Sequence, residues 1–310
     1  RMQPRRRGAS PSGGHVVRAR VVAAALCAVT VVAALSPPAR ALPGDSGGGV
    51  STVVATTYDG ALRQVRIYVP PKVPQRTRVP LLMVLHGLFL DPSTAEASSG
   101  LDRVADSNDV ALVYPQGLGG SWNAGTCCDS SSRNQIDDVG FLTHVVDLVD
   151  MVQPIDRDRV YVAGFSNGGM MALRAICARP DVFAAAASVG GTLQSGCLSP
   201  HPGSALLLHG LRDTTVPYDG SRYSNFLRTG LTPVPAAALI LARHAGCTAL
   251  RTKPTALYRT TTYRGCAPGT SVELVTVPGL GHHWPTESND GVNGERLVWE
   301  FLERHRRLTS

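Results

Sequence analysis

Between residues 159 and 178 the chain runs Arg-Val-Tyr-Val-Ala, then Gly164-Phe165-Ser166-Asn167-Gly168, then Asn-Gly-Gly-Met-Met-Ala-Leu-Arg-Ala-Ile-Cys-Ala from residue 167. A β-branched and aromatic run thus passes through one tight turn into a helix-compatible stretch, with no linker residues between them. The fold must place a buried strand and a helix back to back at this point. Glycine on both sides of Ser166 lets the backbone crowd without a Cβ clash. A strained turn of this kind lifts the serine hydroxyl clear of the sheet. A structural glycine-rich turn would carry the same letters, so the surrounding pattern decides.

That pattern is α/β. Short apolar runs predict strands at Arg63–Val69, Pro80–Leu85, Val110–Tyr114, Arg159–Ala163, Ala184–Val189, Ala205–Leu208 and Val272–Val277. Helical periodicity separates them. Phe141, Leu142, Val145, Val146, Leu148, Val149 and Val152 mark one helix face, a second helix begins near Asn167, and Leu297, Val298, Phe301 and Leu302 mark the last. Alternation of this type predicts an α/β fold with a mostly parallel central sheet flanked by helices on both faces. One catalytic domain is expected over 51–310, with 42–50 as a flexible leader.

A serine hydroxyl is a weak nucleophile at neutral pH and needs a base held by a third group. In folds with such a turn, serine, acid and histidine follow in that chain order. Asp213, just past the strand at 205–208, is the candidate acid, with Asp219 as its competitor. His282, in Gly279-Leu280-Gly281-His282-His283-Trp284-Pro285, is the candidate base, with His283 as its rival. The backbone N–H groups of Asn167 and Leu88 are candidate donors to a tetrahedral oxyanion, Leu88 following the run Leu-Leu-Met-Val-Leu-His-Gly at 81–87. Trp122 and Trp284 are candidate walls of an acyl pocket. Asp138 reads as a helix N-cap, with Asp137 in the same turn. Adjacent histidines suggest no metal site, because consecutive residues seldom converge on one ion.

Residues 1–41 predict a secretory signal. The first twenty are arginine-rich and lack acids, Val21–Leu35 is apolar except for Thr30, and Ala39-Arg40-Ala41 offers small residues at a cleavage site. Seven of the thirty basic residues lie before that cut and all twenty-three acids after it. The remainder is therefore near neutral, and the high isoelectric point points to no nucleic-acid partner. No stable membrane association is expected once the signal is removed. Beyond Cys27 six cysteines remain, an even number that suits disulfides in an exported chain. Cys177 with Cys197 and Cys247 with Cys266 are the favoured pairs. Adjacent Cys127 and Cys128 could bond to each other only in a strained ring, so at least one is expected to pair elsewhere or stay free.

Seven motifs then fall in a recognisable order: LLMVLHG at 81–87, YPQG at 114–117, SWNAGTCC at 121–128, IDDVGF at 136–141, AGFSNGGMM at 163–171, HGLRDTTVPY at 209–218 and GLGHHWP at 279–285. Over about residues 52–304 the chain resembles the poly(3-hydroxybutyrate) depolymerase and feruloyl esterase family of α/β-hydrolases. The resemblance implies a Ser166–Asp213–His282 triad, no metal or organic cofactor, and a place near the active-site mouth for 122–128. Leu280, His283 and Thr286 depart from the family pattern in the histidine loop. With no adsorption module after the last helix, the expected substrates are short-chain or oligomeric hydroxyalkanoate esters. Feruloyl or acetylxylan esters of plant cell walls are the alternative. A catalytically silent binding protein and a peptidase are the competing classes.

Overall fold

The computed structural model describes residues 49–74, 76–200 and 202–307. The expected signal segment and nearly all of the leader lie outside them. In chain order the elements are β1 (Val50–Tyr58), β2 (Ala61–Val69), β3 (Val79–Leu85), α1 (Pro92–Ser99), α2 (Leu101–Asn108), β4 (Ala111–Pro115), α3 (Asp129–Arg133), α4 (Asp138–Val152), β5 (Ile155–Phe165), α5 (Asn167–Ala178), β6 (Ala185–Val189), β7 (Ser204–Gly210), β8 (Ser221–Ser224), β9 (Thr229–Leu231), α6 (Val234–His244), β10 (Ala249–Pro254), β11 (Arg259–Arg264), β12 (Val272–Val277), α7 (Glu287–Asp290) and α8 (Gly294–Leu302).

Ten strands form one sheet in the order β1-β2-β4-β3-β5-β6-β7-β12-β11-β10. The six central strands, β4 to β12, run parallel, and an antiparallel pair completes each edge. Every residue of β3, β4, β6 and β7 is buried, as expected for strands covered on both faces. Successive side chains feed two cores. Leu81, Met83, Val162 and Leu207 face the α4–α5–α6 side with Phe141, Met170 and Leu241. Leu82, Val84, Tyr161 and Leu208 face the α1–α2–α8 side with Leu101, Val298 and Phe301.

The seven expected strands are all present, within a few residues at their ends. The sequence reading missed β1, β10 and β11. All three lie in the antiparallel margins of the sheet: β10 and β11 are built largely on threonine and charged residues, as in Arg259-Thr-Thr-Thr-Tyr-Arg264, and β1 breaks its valines with serine and threonine, so no long apolar run marks them. On α4, Val152 is exposed rather than on the core face. Asp137, not Asp138, is the N-cap of α4, its side chain accepting from the Gly140 N–H. Asp138 is buried instead and paired with Arg63 Nη1 at 2.8 Å.

Both favoured disulfides form, Cys177–Cys197 and Cys247–Cys266. Cys127 and Cys128 are joined to each other, against expectation. Among the described residues the other four cysteines are already paired, which leaves these two for one another. Among the described residues no helix is long and apolar enough to cross a membrane.

Candidate active site

Strand β5 sits between β3 and β6, and its carboxyl end turns into α5 at Ser166. That residue has φ 55° and ψ −119°, a left-handed conformation rarely taken by a residue with a Cβ. The turn is held by the Ser166 N–H, which donates to Val189 O at 2.8 Å, and by Met170 N–H donating to Ser166 O at 2.9 Å. A Cβ on Gly164 would run into the backbone of Gly168, and one on Gly168 into the carbonyl oxygens of Leu85 and His86. Glycine is required at both positions because β3, β5 and α5 converge there.

The acid and histidine loops leave neighbouring strands. β7 and β12 are parallel partners with Gly210 opposite Val277, and the N–H of Arg212 donates to Leu280 O at 3.0 Å. This delivers Asp213 and His282 to one place beyond the carboxyl ends of the strands, where open parallel sheets form their sites. His282 Nε2 lies 3.0 Å from Ser166 Oγ, and His282 Nδ1 lies 2.6 Å from Asp213 Oδ2. Asp213 Oδ1 accepts from the N–H groups of Thr215 and Val216, at 2.9 and 2.8 Å. The carboxylate is therefore fixed in rotation before it meets the imidazole. Behind it, His209 Nε2 donates to Val216 O at 2.8 Å, and burial holds this ring below the usual imidazole range and neutral. Phe165 packs on His282 with ring centroids 4.8 Å apart.

The rival residues lie elsewhere. Asp219 is exposed. His283 points away from Ser166 and binds Asp290 Oδ1 at 2.9 Å. Among the described residues no group of His, Cys, Asp and Glu is placed to hold a metal ion.

Ser166 and His282 open onto a cavity of about 590 Å³, whose wall includes Gly87, Leu88, Phe165, Tyr223 and Phe226. Leu88, the candidate oxyanion donor after β3, is on this wall. Asn167, the first residue of α5, has an N–H with no acceptor inside its own helix. The tryptophans are corrected. Trp122 is wholly buried and Trp284 nearly so, and neither lines the cavity. Each fills a packed interior, Trp122 between the β3–α1 loop and α5, Trp284 in the α1–α2–α8 core. Besides Phe165 at the end of β5, the aromatic groups that face the cavity, Tyr223 and Phe226, come from the β8–β9 hairpin. Sequence reading missed it, because its seven strand residues are short of any clear period.

Residues 56–207 match the family model described as "Putative esterase". Putative esterase NocK of Nocardia uniformis subsp. tsuyamanensis is 32% identical over 246 residues, covering 73% of this chain and 72% of that protein. Feruloyl esterase B of Piromyces equi is 28% identical over 254 residues, covering 78% of this chain. The matched part is 45% of that enzyme, so this chain spans less than half its length. Among solved structures, acetyl xylan esterase from Aspergillus awamori aligns with a TM-score of 0.59 at 16% identity, covering 83% of this chain and 100% of that one. At that identity the likeness concerns the fold.

Proposed function

The chain belongs to the esterase family of α/β-hydrolases, and from that premise we propose that it is a secreted serine carboxylic ester hydrolase using Ser166, His282 and Asp213 as its triad. One observation carries the reading: Ser166 Oγ, both ring nitrogens of His282 and Asp213 Oδ2 form a single hydrogen-bonded line. Ser166 Oγ attacks the ester carbonyl carbon while His282 Nε2 takes its proton. Asp213 holds the Nδ1–H tautomer and stabilises the imidazolium. The carbonyl oxygen becomes an oxyanion received by the N–H groups of Leu88 and Asn167. Collapse breaks the C–O bond, and His282 returns its proton to the leaving alcohol. Water then gives a proton to His282 and attacks the acyl carbonyl, and collapse breaks the bond to Ser166 Oγ, which takes the proton back from His282 as the acid leaves.

For the substrate, the names of the relatives favour feruloyl or acetylated cell-wall esters over the hydroxybutyrate oligomers that the motifs first suggested. The aromatic wall from Tyr223 and Phe226 supports the same choice. Three disulfides suit an oxidising compartment, in keeping with export. The chain from residue 51 onward is proposed to act as one catalytic domain. The test is a panel of methyl ferulate, acetylated xylan, p-nitrophenyl esters and hydroxybutyrate oligomers, assayed with the natural chain and with Ser166→Ala. Turnover of cell-wall esters that vanishes in Ser166→Ala is the expected result. Activity surviving that change would move the nucleophile elsewhere.

A further inference from the structure

We propose that Trp122 is a positioning residue that sets the distance between the two oxyanion donors, by bridging the β3–α1 loop to the first residue of α5. The inference rests on the reading of Leu88 and Asn167 as those donors.

The bridge consists of three hydrogen bonds from one buried residue. The indole Nε1–H donates to the carbonyl oxygen of His86 at 3.0 Å. The Trp122 backbone pairs with the side chain of Asn167: its N–H donates to Oδ1 at 2.8 Å, and Nδ2 donates to its carbonyl oxygen at 3.0 Å. The ring thus grips the loop that carries Leu88, and the backbone grips the residue whose own amide is the second donor.

His86 completes the loop end of the bridge. Its Nε2 accepts from the Gly117 N–H at 2.9 Å, so Nδ1 carries the proton and donates to Gly87 O at 2.7 Å. Burial holds the ring below the usual imidazole range, in agreement with a neutral tautomer. The Gly87 carbonyl and the Leu88 N–H share one trans peptide plane and point in opposite directions. Fixing that carbonyl toward His86 turns the Leu88 N–H away from it. Both peptide planes ahead of Leu88 are therefore pinned, one by Trp122 and one by His86.

Trp122 is anchored in turn. The next residue, Asn123, donates its N–H to Asp138 Oδ2 at 2.7 Å and accepts from Arg174 Nη1 at its carbonyl. A residue that only filled space would need none of these polar contacts. Phenylalanine would serve equally well in that role, and this separates the two readings.

The experiment compares Trp122→Phe and Asn167→Ala, singly and combined, on a short p-nitrophenyl ester. Turnover is expressed per serine titrated with a fluorophosphonate, so that unfolded molecules are not counted. Each single change should lower kcat about ten- to hundredfold, the scale of a displaced catalytic group, with KM within about twofold. A trifluoromethyl ketone, whose adduct carries an oxyanion, should bind more weakly by the same factor, and the acid limb of the pH profile should not move. The double variant should lose no more than the worse single one, because both changes cut the same bridge. Wild-type kcat per titrated serine in the single variants, or losses that multiply in the double, would overturn the proposal. Should Trp122→Phe fail to fold, Asn167→Ala decides by kcat and ketone affinity. Ser166→Ala assayed alongside separates the two levels: turnover there sinks the nucleophile reading, whereas an inert Ser166→Ala beside an unimpaired Trp122→Phe sinks the bridge alone.

Discussion

Asp213 meets His282 with one carboxylate oxygen while the peptide N–H groups of Thr215 and Val216 occupy the other. The contact can therefore be altered without releasing the loop. In Asp213→Asn the side-chain oxygen can keep the two peptide N–H groups, which turns the amide nitrogen toward His282 Nδ1. The imidazole must then accept at Nδ1 and carry its proton on Nε2, where it cannot take one from Ser166. We expect kcat to fall about 10³–10⁴-fold with the melting temperature little changed. Steady-state kinetics and thermal melting check this, and a loss of less than tenfold would remove Asp213 from the triad.

A second expectation concerns acid stability. His305 is buried, with Nδ1 donating to Phe301 O at 2.8 Å and Nε2 accepting from Ser271 Oγ at 2.7 Å. Burial first, and Arg304 beside it second, push its pKa down to about 4. In the unfolded chain the ring titrates near 6.5. Between those values the unfolded state binds more protons than the native one, so acidification favours unfolding. The contribution of His305 is intact above about pH 6.5, erodes as pH falls toward 4, and is level below that. The whole change is on the order of 3 kcal/mol. Urea titrations of the natural chain and His305→Gln at pH 7, 5.5 and 4 test it. The stability gap between them should shift toward the variant by that amount on acidification, and a constant gap would be the contrary result.

Much of the site was legible because its determinants are local. A strand, a glycine-flanked serine and a helix occupy consecutive residues, and Asp213 and His282 each follow a strongly apolar strand. The pairs Cys177–Cys197 and Cys247–Cys266 close short loops, and both could be favoured from spacing. What was not legible depends on partners distant in sequence. The role of Trp122 is set by His86 and Asn167, 36 and 45 residues away. Asp138 looked like a cap because its partner Arg63 lies 75 residues upstream. The β8–β9 hairpin has short strands without a clear period, and it is held by Leu227 and Leu231 in the core and by Gln194 Nε2 donating to Gly230 O, contacts with elements distant in sequence. Motif order pointed to the proposed triad, whereas the groups packed around it emerged only from the structure.

The Arg63–Asp138 pair gives a third expectation. Both side chains are almost wholly buried, the guanidinium lies 4.2 Å from the Phe141 ring centroid, and Asp138 also holds the Asn123 N–H. Asp138→Ala leaves an uncompensated cation in the core and frees the segment that carries Trp122. The expected loss is about 3–5 kcal/mol of folding stability. The double change Arg63→Met, Asp138→Leu should recover a large part of it, since the cation is removed as well. Urea unfolding measures both, and a loss below about 1 kcal/mol in Asp138→Ala would show that water reaches the pair.

The last expectation concerns which ester is preferred. Phe226, at the tip of the β8–β9 hairpin, stands edge-on to Phe89 with ring centroids 6.5 Å apart and planes at 81°. Both rings are about 60% exposed, unusual for phenylalanines in mutual contact, and Phe226 lines the cavity above Ser166. An aromatic acyl group entering there would cover rings that otherwise face water. Aromatic contacts of this kind add about 0.5–1.5 kcal/mol beyond area burial, which is roughly two- to tenfold in affinity. Phe226→Ala should therefore raise KM for methyl ferulate by about that factor with kcat nearly unchanged. For p-nitrophenyl acetate, whose acyl group is too small to reach the hairpin, both constants should stay within about twofold. Equal losses on the two esters would mean that Phe226 supports the cavity generally, and no loss on either would remove the hairpin from substrate selection.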